Sequence, residues 1–569
     1  MRYCTLNGVA LSNFKIDIVG NDPAVKHAAE IYRYYANKTC EQSDDGHNGI
    51  VHIGMTDEFT SLRDVQLGTD GIYLLLKDQE LWLLGQNGSG TIYAVYDFFE
   101  KLGWRFLCDD YEVLITDKVN LCDFEYSYTP PLNQRTVFYS HAYDYDFMNK
   151  QRLNGLWCAK LPKQYGRSIS YAGIQAHSFS ELVSPNDYFL EHPEYFAMDA
   201  EGKRRPDTQP CLTEPKVFQI ALEKVKVLLQ ENPEADFISI SQNDVPERCH
   251  CKNCKALEEK YACSGASVFW FANKIARAIK DEFPKVAVEI LPYVYSDEPP
   301  KGLVFSDNIA IRFTTMNFCR EHQLTDEKCK YNLKQKANLD GFAKLTKNLY
   351  IWDYAANFYN YLMPIPQLYS LYWNFRYYME KGARGIMVQA SGASDDGAFD
   401  RMWNYALGKL LWEPYMDFAT YLSHIREFLH LYYGKGGEYL YDFIAMTNAL
   451  PKSGYHYGTC IANPDKIIPI YTGEQYLSGN VLFSKAIALA TKKQKKHIEK
   501  ARLQLEWYAL YMEQKNKSID VFELQKRLRV FYKKLKKFGI DAICEGKKLP
   551  KSASKIEKMQ DFLEHDFEE

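Results

Sequence analysis

The sequence has no apolar run of about 18 residues or more, the length a bilayer-spanning helix needs. Its opening, MRYCTLNGVALSNFKIDIVG, lacks the apolar stretch and small-residue cleavage site of a secretory signal. The expectation is therefore a cytoplasmic protein, or a secreted one whose signal lies outside this sequence. A net charge of −4 is too small for a protein that lives on phosphate contacts, so neither nucleic acid nor a membrane is expected as a partner. Fourteen cysteines among 569 residues fall far below the density of a disulfide-stapled module. No His-Glu-x-x-His and no Gly-x-Ser-x-Gly occurs, which leaves zinc proteases and serine hydrolases without support. Internal repeats and low-complexity tracts are absent too.

What is present is a soluble, globular composition, 46% hydrophobic and 25% charged, in a chain too long for one core. Tyrosine is abundant at 43, beside 32 Phe and 9 Trp. Aromatic faces suit sugar rings, although an AT-rich genome also inflates Tyr.

Three regions follow from the periodicities. Residues 1–127 mix strand-like runs (14–19, 49–54, 71–77, 80–86) with helical ones (23–38 and 88–107), an α+β domain. Gly88-Ser-Gly90 has neither the Lys of a P-loop nor a dinucleotide spacing, so tight helix packing is its expected role. In 128–425, short apolar runs at 135–140, 173–179, 208–212, 236–241, 286–294, 308–314, 348–354 and 385–390 alternate with helical or long connecting segments, as at 214–232 and 266–284. That alternation is the pattern of an α/β fold, a (β/α)8 TIM-like barrel. Residues 426–569 are amphipathic and Lys/Leu-rich, a C-terminal helical region.

In such barrels the working residues stand at the C-terminal ends of strands. His177, Asn243-Asp244, Tyr293, Trp352-Asp353-Tyr354 and Gln389 all follow or end apolar runs. Polar groups buried there need partners to offset desolvation, so a ring of them points to a site. An acid beside an amide suits hydrolysis of an N-acetylated sugar: one group orients the acetamide whose oxygen attacks the anomeric carbon, the other protonates the leaving oxygen. Asp244, Asn243 and Asp353 are the catalytic candidates, with Glu247 as a further acid. His177, Tyr293, Trp352, Tyr354 and Gln389 are the candidates for substrate binding. No cofactor is expected for catalysis. Cys249, Cys251 and Cys254 resemble part of a structural zinc site, with a fourth ligand from His250, Cys263, Cys319 or His322.

The run from His177 through Pro193-Glu-Tyr-Phe196, Cys211-Leu-Thr213, Ile238–Asp244 and the cysteine cluster, on to Phe271–Ala276, Trp352-Asp-Tyr354 and Leu410–Pro414, resembles the bacterial family catalogued as domain of unknown function 4838. That family overlaps glycoside hydrolase family 163, and the similarity spans roughly residues 135–430. Residues 90–103 resemble the N-terminal domain of α-glucuronidases and β-hexosaminidases. The resemblance implies a glycan substrate and endo-β-N-acetylglucosaminidase-like activity on N-glycans, with retention assisted by the acetamide. Two alternatives stand beside it. An α-glucuronidase would hold a uronate through Arg312 and Arg320, and a non-catalytic glycan binder would keep the aromatic platforms without the acids, a reading to which Gln389 lends its weight.

Overall fold

The computed structural model describes residues 3–562 except 41–48, 60–64, 157–159, 393, 395–396, 450–455, 457 and 459–471. Its centre is an all-parallel sheet of seven strands: β1 (Gln134–Phe138), β2 (Tyr171–Ala172), β3 (Phe237–Ser239), β4 (Ala287–Ile290), β5 (Ile309–Thr314), β6 (Leu349–Tyr354) and β7 (Ala383–Gln389). The order is β2-β3-β4-β5-β6-β7-β1, so the first strand closes on the last and the sheet curls. No ladder joins β1 to β2.

The barrel is thus TIM-like without being a closed eight-stranded one, and the expected eight strands are corrected to seven. Residues 208–212 form no strand; Pro210 makes only an isolated bridge to Phe196, since proline brings no N–H to a ladder. The run at 173–179 is also not a strand: β2 is two residues long and lies just before it. Helices Pro215–Glu231, Ala266–Ile279, Lys330–Leu345, Leu368–Glu380 and Asp400–Trp412 cover the outside. Ala266–Ile279 turns Val268, Phe271, Ala272, Ile275 and Ile279 inward, the helical spacing of a buried stripe.

The seam between β1 and β2 is held by other means. Outside, Asn154 lies across it. Its N–H donates to Arg135 O at 3.0 Å, its Oδ1 accepts from Arg135 N at 2.8 Å, and its carbonyl accepts from Ile169 N at 3.3 Å. Inside the lumen, Arg312 of β5 is fully buried. Its Nε donates to Glu289 Oε2 of β4 at 2.8 Å, and its Nη2 donates both to Gln134 Oε1 of β1 at 2.9 Å and to Tyr171 OH of β2 at 2.8 Å. Tyr171 OH in turn donates to Glu289 at 2.8 Å. One guanidinium therefore bridges the two strands that share no backbone hydrogen bonds.

The N-terminal region is built on a five-stranded sheet with helices Pro23–Thr39 and Gly88–Lys101 packed on it, beside a three-stranded and a two-stranded sheet. A Cβ on Gly90 would lie 2.4 Å from Gly71 O, so the glycine-rich turn serves close packing of helix on sheet. Buried Arg135 on the outer face of β1 donates to Asp70 at 2.8 Å and docks this domain on the barrel. Among the described residues after β7 the chain is mainly helical as far as Lys537, and helix Phe418–Tyr433 runs across residue 425. No described helix is long and apolar enough to cross a membrane.

Arg312→Met should cost about 3–5 kcal/mol in urea unfolding, because it strands a buried carboxylate. Adding Glu289→Gln should recover part of that loss.

Candidate active site

Register along β5, β6, β7 and β1 decides which side chains reach the lumen. Tyr350 sits with Gly385 and Gln134, Trp352 with Met387 and Thr136, and Tyr354 with Gln389 and Phe138. Neighbours in a parallel ladder point the same way, so Trp352, Tyr354 and Gln389 line the upper barrel and its mouth. Trp352 Nε1 donates to Gln389 Oε1 at 3.0 Å, and the Trp352 and Tyr354 rings stack with centroids 6.2 Å apart. His177 and Tyr293 meet edge to face at 5.7 Å on the other side. His177 has a left-handed backbone (φ 56°), costly for a non-glycine residue, and its Nδ1 donates to Gln242 O at 2.9 Å. A carbonyl only accepts, so in the neutral ring Nε2 is the acceptor nitrogen.

The same alternation sends Asp353 to the outer face. Its carboxylate is fully buried, ion-paired with Arg320, and accepts from Thr315 Oγ1 at 2.6 Å, Tyr354 N at 2.9 Å and Tyr378 OH of helix Leu368–Glu380 at 3.2 Å. Asp353 does not join Asp244 at the mouth; it fastens the sheet to the helix layer. Asn243 is also engaged away from a substrate. Its Nδ2 donates to Thr208 O at 2.6 Å and its Oδ1 accepts from Ser180 N at 3.0 Å. Gln209 completes this brace, donating to Asn243 O at 3.1 Å and accepting from Asn243 N at 2.9 Å. Asp244, by contrast, is exposed, as is Glu247.

The residue that sequence reasoning missed is Glu545. The segment Ile543–Glu545 folds back over the barrel: Glu545 N donates to Phe358 O at 2.7 Å, and Ile543 O accepts from Tyr361 N at 2.7 Å. This places the Glu545 carboxylate on Gln389, whose Nε2 donates to it at 3.1 Å. Burial of the carboxyl raises its pKa above the usual carboxylate value, the charge of Asp244 adds to the rise, and the Gln389 hydrogen bond opposes it. The side chain still reaches solvent. Glu545 thus stands beside Gln389 at the end of β7, near enough to Asp244 for the charge of one carboxylate to act on the other.

A cavity of 660 Å³ opens at the opposite end of the barrel, among Asn133, Phe237, Tyr350 and Arg384. Two of its cations are ion-paired, Arg167 with Asp236 and Lys280 with Asp307, and the working face of such barrels is the other one.

Beside the mouth, the cysteine cluster acquires its fourth sulfur from Cys211, not from His250, Cys263, Cys319 or His322. The ligand atoms of Cys211, Cys249, Cys251 and Cys254 all lie within 4.8 Å of one another, with Cys211 Sγ at 3.7 Å from both Cys249 and Cys251. A tetrahedral zinc with bonds of about 2.3 Å spaces its sulfurs by about 3.8 Å. Cys211 stands two residues from Gln209, so the cluster ties the Gln209–Asn243 brace to the loop that carries Asp244.

Residues 111–445 match the family described as Domain of unknown function (DUF4838). No curated protein matches the chain. Among solved structures, the chain is similar to CpGH84B (12% identity, TM-score 0.42, covering 92% of this chain and 93% of that one). It is also similar to a GH138 enzyme targeting pectin rhamnogalacturonan II (10%, TM-score 0.43, 96% and 78%). A third is the β-N-acetylhexosaminidase from Bacteroides fragilis NCTC 9343 (10%, TM-score 0.43, 82% and 95%).

Asp353→Asn keeps the side chain's shape but removes the charge facing buried Arg320. Chemical denaturation should show a loss of about 3–5 kcal/mol.

Proposed function

This chain belongs to the DUF4838 family, and we propose that it is a glycoside hydrolase working at the barrel mouth with Glu545 and Asp244. The observation that carries the reading is the hydrogen bond from Gln389 to Glu545. The end of the last strand lacks an acid of its own, and the C-terminal region delivers one to it. The substrate class we assign is a β-N-acetylglucosaminide, including N-glycan-derived chains, in line with the resemblance to glycoside hydrolase family 163.

Glu545 is the proton donor. A carboxyl whose pKa is raised holds its proton at higher pH and can give it to the departing glycosidic oxygen. The substrate's acetamide oxygen attacks the anomeric carbon from the opposite side, and the glycosidic C–O bond breaks as the proton arrives. Asp244 orients the acetamide and balances the positive charge of the cyclic oxazolinium intermediate. Water then opens that ring, with Glu545 taking back a proton, and configuration is retained. Trp352 and Tyr354, both largely buried, back the sugar site as an aromatic wall beside Gln389, and His177 and Tyr293 supply the facing wall. The α-glucuronidase alternative loses its anion holders, because Arg312 is sealed in the lumen against Glu289 and Arg320 is spent on Asp353.

We further read Cys211, Cys249, Cys251 and Cys254 as a structural zinc centre bracing the Asp244 loop. The metal takes no part in the reaction, since all four positions are filled by protein.

Glu545→Gln should lower turnover of 4-methylumbelliferyl or 4-nitrophenyl β-N-acetylglucosaminide by at least about a hundredfold, with poor leaving groups hit harder than good ones. In the wild type, kcat/KM should fall as pH rises through the elevated Glu545 pKa, and the variant should lack that limb. Near wild-type turnover in Glu545→Gln would remove Glu545 from the mechanism. Cys249→Ser should cost one zinc per chain in elemental analysis and lower the melting temperature.

A further inference from the structure

A second group of metal-binding side chains lies outside the proposed reaction. Cys319 and His322 stand on the loop that follows β5, and Cys329 precedes helix Lys330–Leu345. His456 comes from the connection between helices Gly437–Thr447 and Gly473–Ala488 in the C-terminal region. The four ligand atoms lie within 4.8 Å of one another. Cys319 Sγ is 3.1 Å from His322 Nδ1, and Cys329 Sγ is 3.5 Å from His456 Nδ1. Around a tetrahedral zinc, bonds of about 2.3 Å to sulfur and about 2.0–2.1 Å to nitrogen put S and N about 3.5 Å apart.

The surroundings are built to hold this arrangement. Cys319, His322 and Cys329 are buried at 3%, 7% and 0% exposure. Fully buried Asn332 accepts from Cys319 N at 2.8 Å and donates to Cys319 O at 3.0 Å and His322 O at 2.9 Å, so one amide fixes the backbone of both residues. Asn374 Oδ1 secures the next turn by accepting from Leu324 N at 2.7 Å. The Tyr331 ring packs 4.5 Å from His456. Such outer contacts are what orients metal ligands.

We propose that Cys319, His322, Cys329 and His456 form a second zinc centre, distinct from the four-cysteine cluster, that pins the C-terminal helical region to the loop after β5. Two thiolates and two imidazoles are a zinc set and a poor one for calcium or magnesium, which take oxygen. Four protein ligands leave no open position, so the centre is structural. Its mechanical effect is specific. His456 lies 127 residues from Cys329 in sequence, and the loop it reaches also carries Arg320, the partner of Asp353. Binding stabilises the native chain by the metal's preference for the folded ligand set.

The test is zinc content of the full-length protein purified from zinc-replete medium, beside the single variants His456→Ala, Cys329→Ser and Cys249→Ser. The wild type should carry two zinc ions per chain, and His456→Ala and Cys329→Ser one each. If Cys329→Ser fails to fold, His456→Ala, which leaves the three buried ligands in place, carries the measurement. Cobalt exchanged into Cys249→Ser should report a mixed sulfur–nitrogen tetrahedral site in its visible absorption. A zinc count unchanged in His456→Ala, or a Cys319–Cys329 disulfide found by mass spectrometry of unreduced protein, overturns the proposal. Zinc lost in His456→Ala but not in Cys249→Ser would uphold this centre and remove the four-cysteine one.

Discussion

Everything above the lumen floor depends on a single buried guanidinium. A sheet that curls without completing its ladder leaves two edges facing each other, and exposed edges invite slippage and wrong pairing. Here Arg312 spans the gap, holding Gln134 on one edge and Tyr171 on the other while Glu289 neutralises it. A buried charge of this kind is weak evidence for net stability, but it disfavours a slip of register, because any slip leaves it unpaired. The layers stacked above it, Thr136, Trp352 and Met387, then Phe138, Tyr354 and Gln389, take their positions from strands whose relative height that network sets.

The mouth so formed is incomplete without the rest of the chain. Its polar residue at the end of β7 is an amide, and the proposed acid comes from Glu545, 156 residues further on. The segment Ile543–Glu545 therefore belongs to the proposed site as well as to the C-terminal region. Two backbone hydrogen bonds to the loop after β6, at Phe358 and Tyr361, position it. On the other rim, the Asn243–Gln209 brace and the adjacent four sulfurs hold the loop of Asp244. The two proposed acids are thus fixed by separate devices.

Much of the barrel was legible in the sequence because its strands are buried on both faces and apolar apart from single charges such as Arg312 and Asp353, as in Ile309–Thr314 and Leu349–Tyr354. The two-residue β2 was not, since so short a strand has no period to detect. Asp353 illustrates a different limit. An acid at a strand end looks the same in sequence whether it faces the lumen or the helices, and only the ladder register separates the cases. Asn243 likewise has the residue type for substrate contact, yet loop backbone satisfies it. Cys211 stood within a motif noted in the sequence, but what marks it as a ligand is the fold that brings residues 38 apart to 3.7 Å. Glu545 carried no signal: it lies in an aperiodic stretch whose docking partners are distant in sequence.

The central claim is that the chemistry takes place between Asp244 and Glu545 at the C-terminal mouth. A crystal structure of the protein with a thiazoline derived from N-acetylglucosamine, a mimic of the cyclic intermediate, tests it most directly. The account expects the ring against Trp352, its thiazoline facing Asp244 and its anomeric side within hydrogen-bonding reach of Glu545. A ligand found instead in the cavity at the opposite end, beside Tyr350 and Arg384, would contradict it.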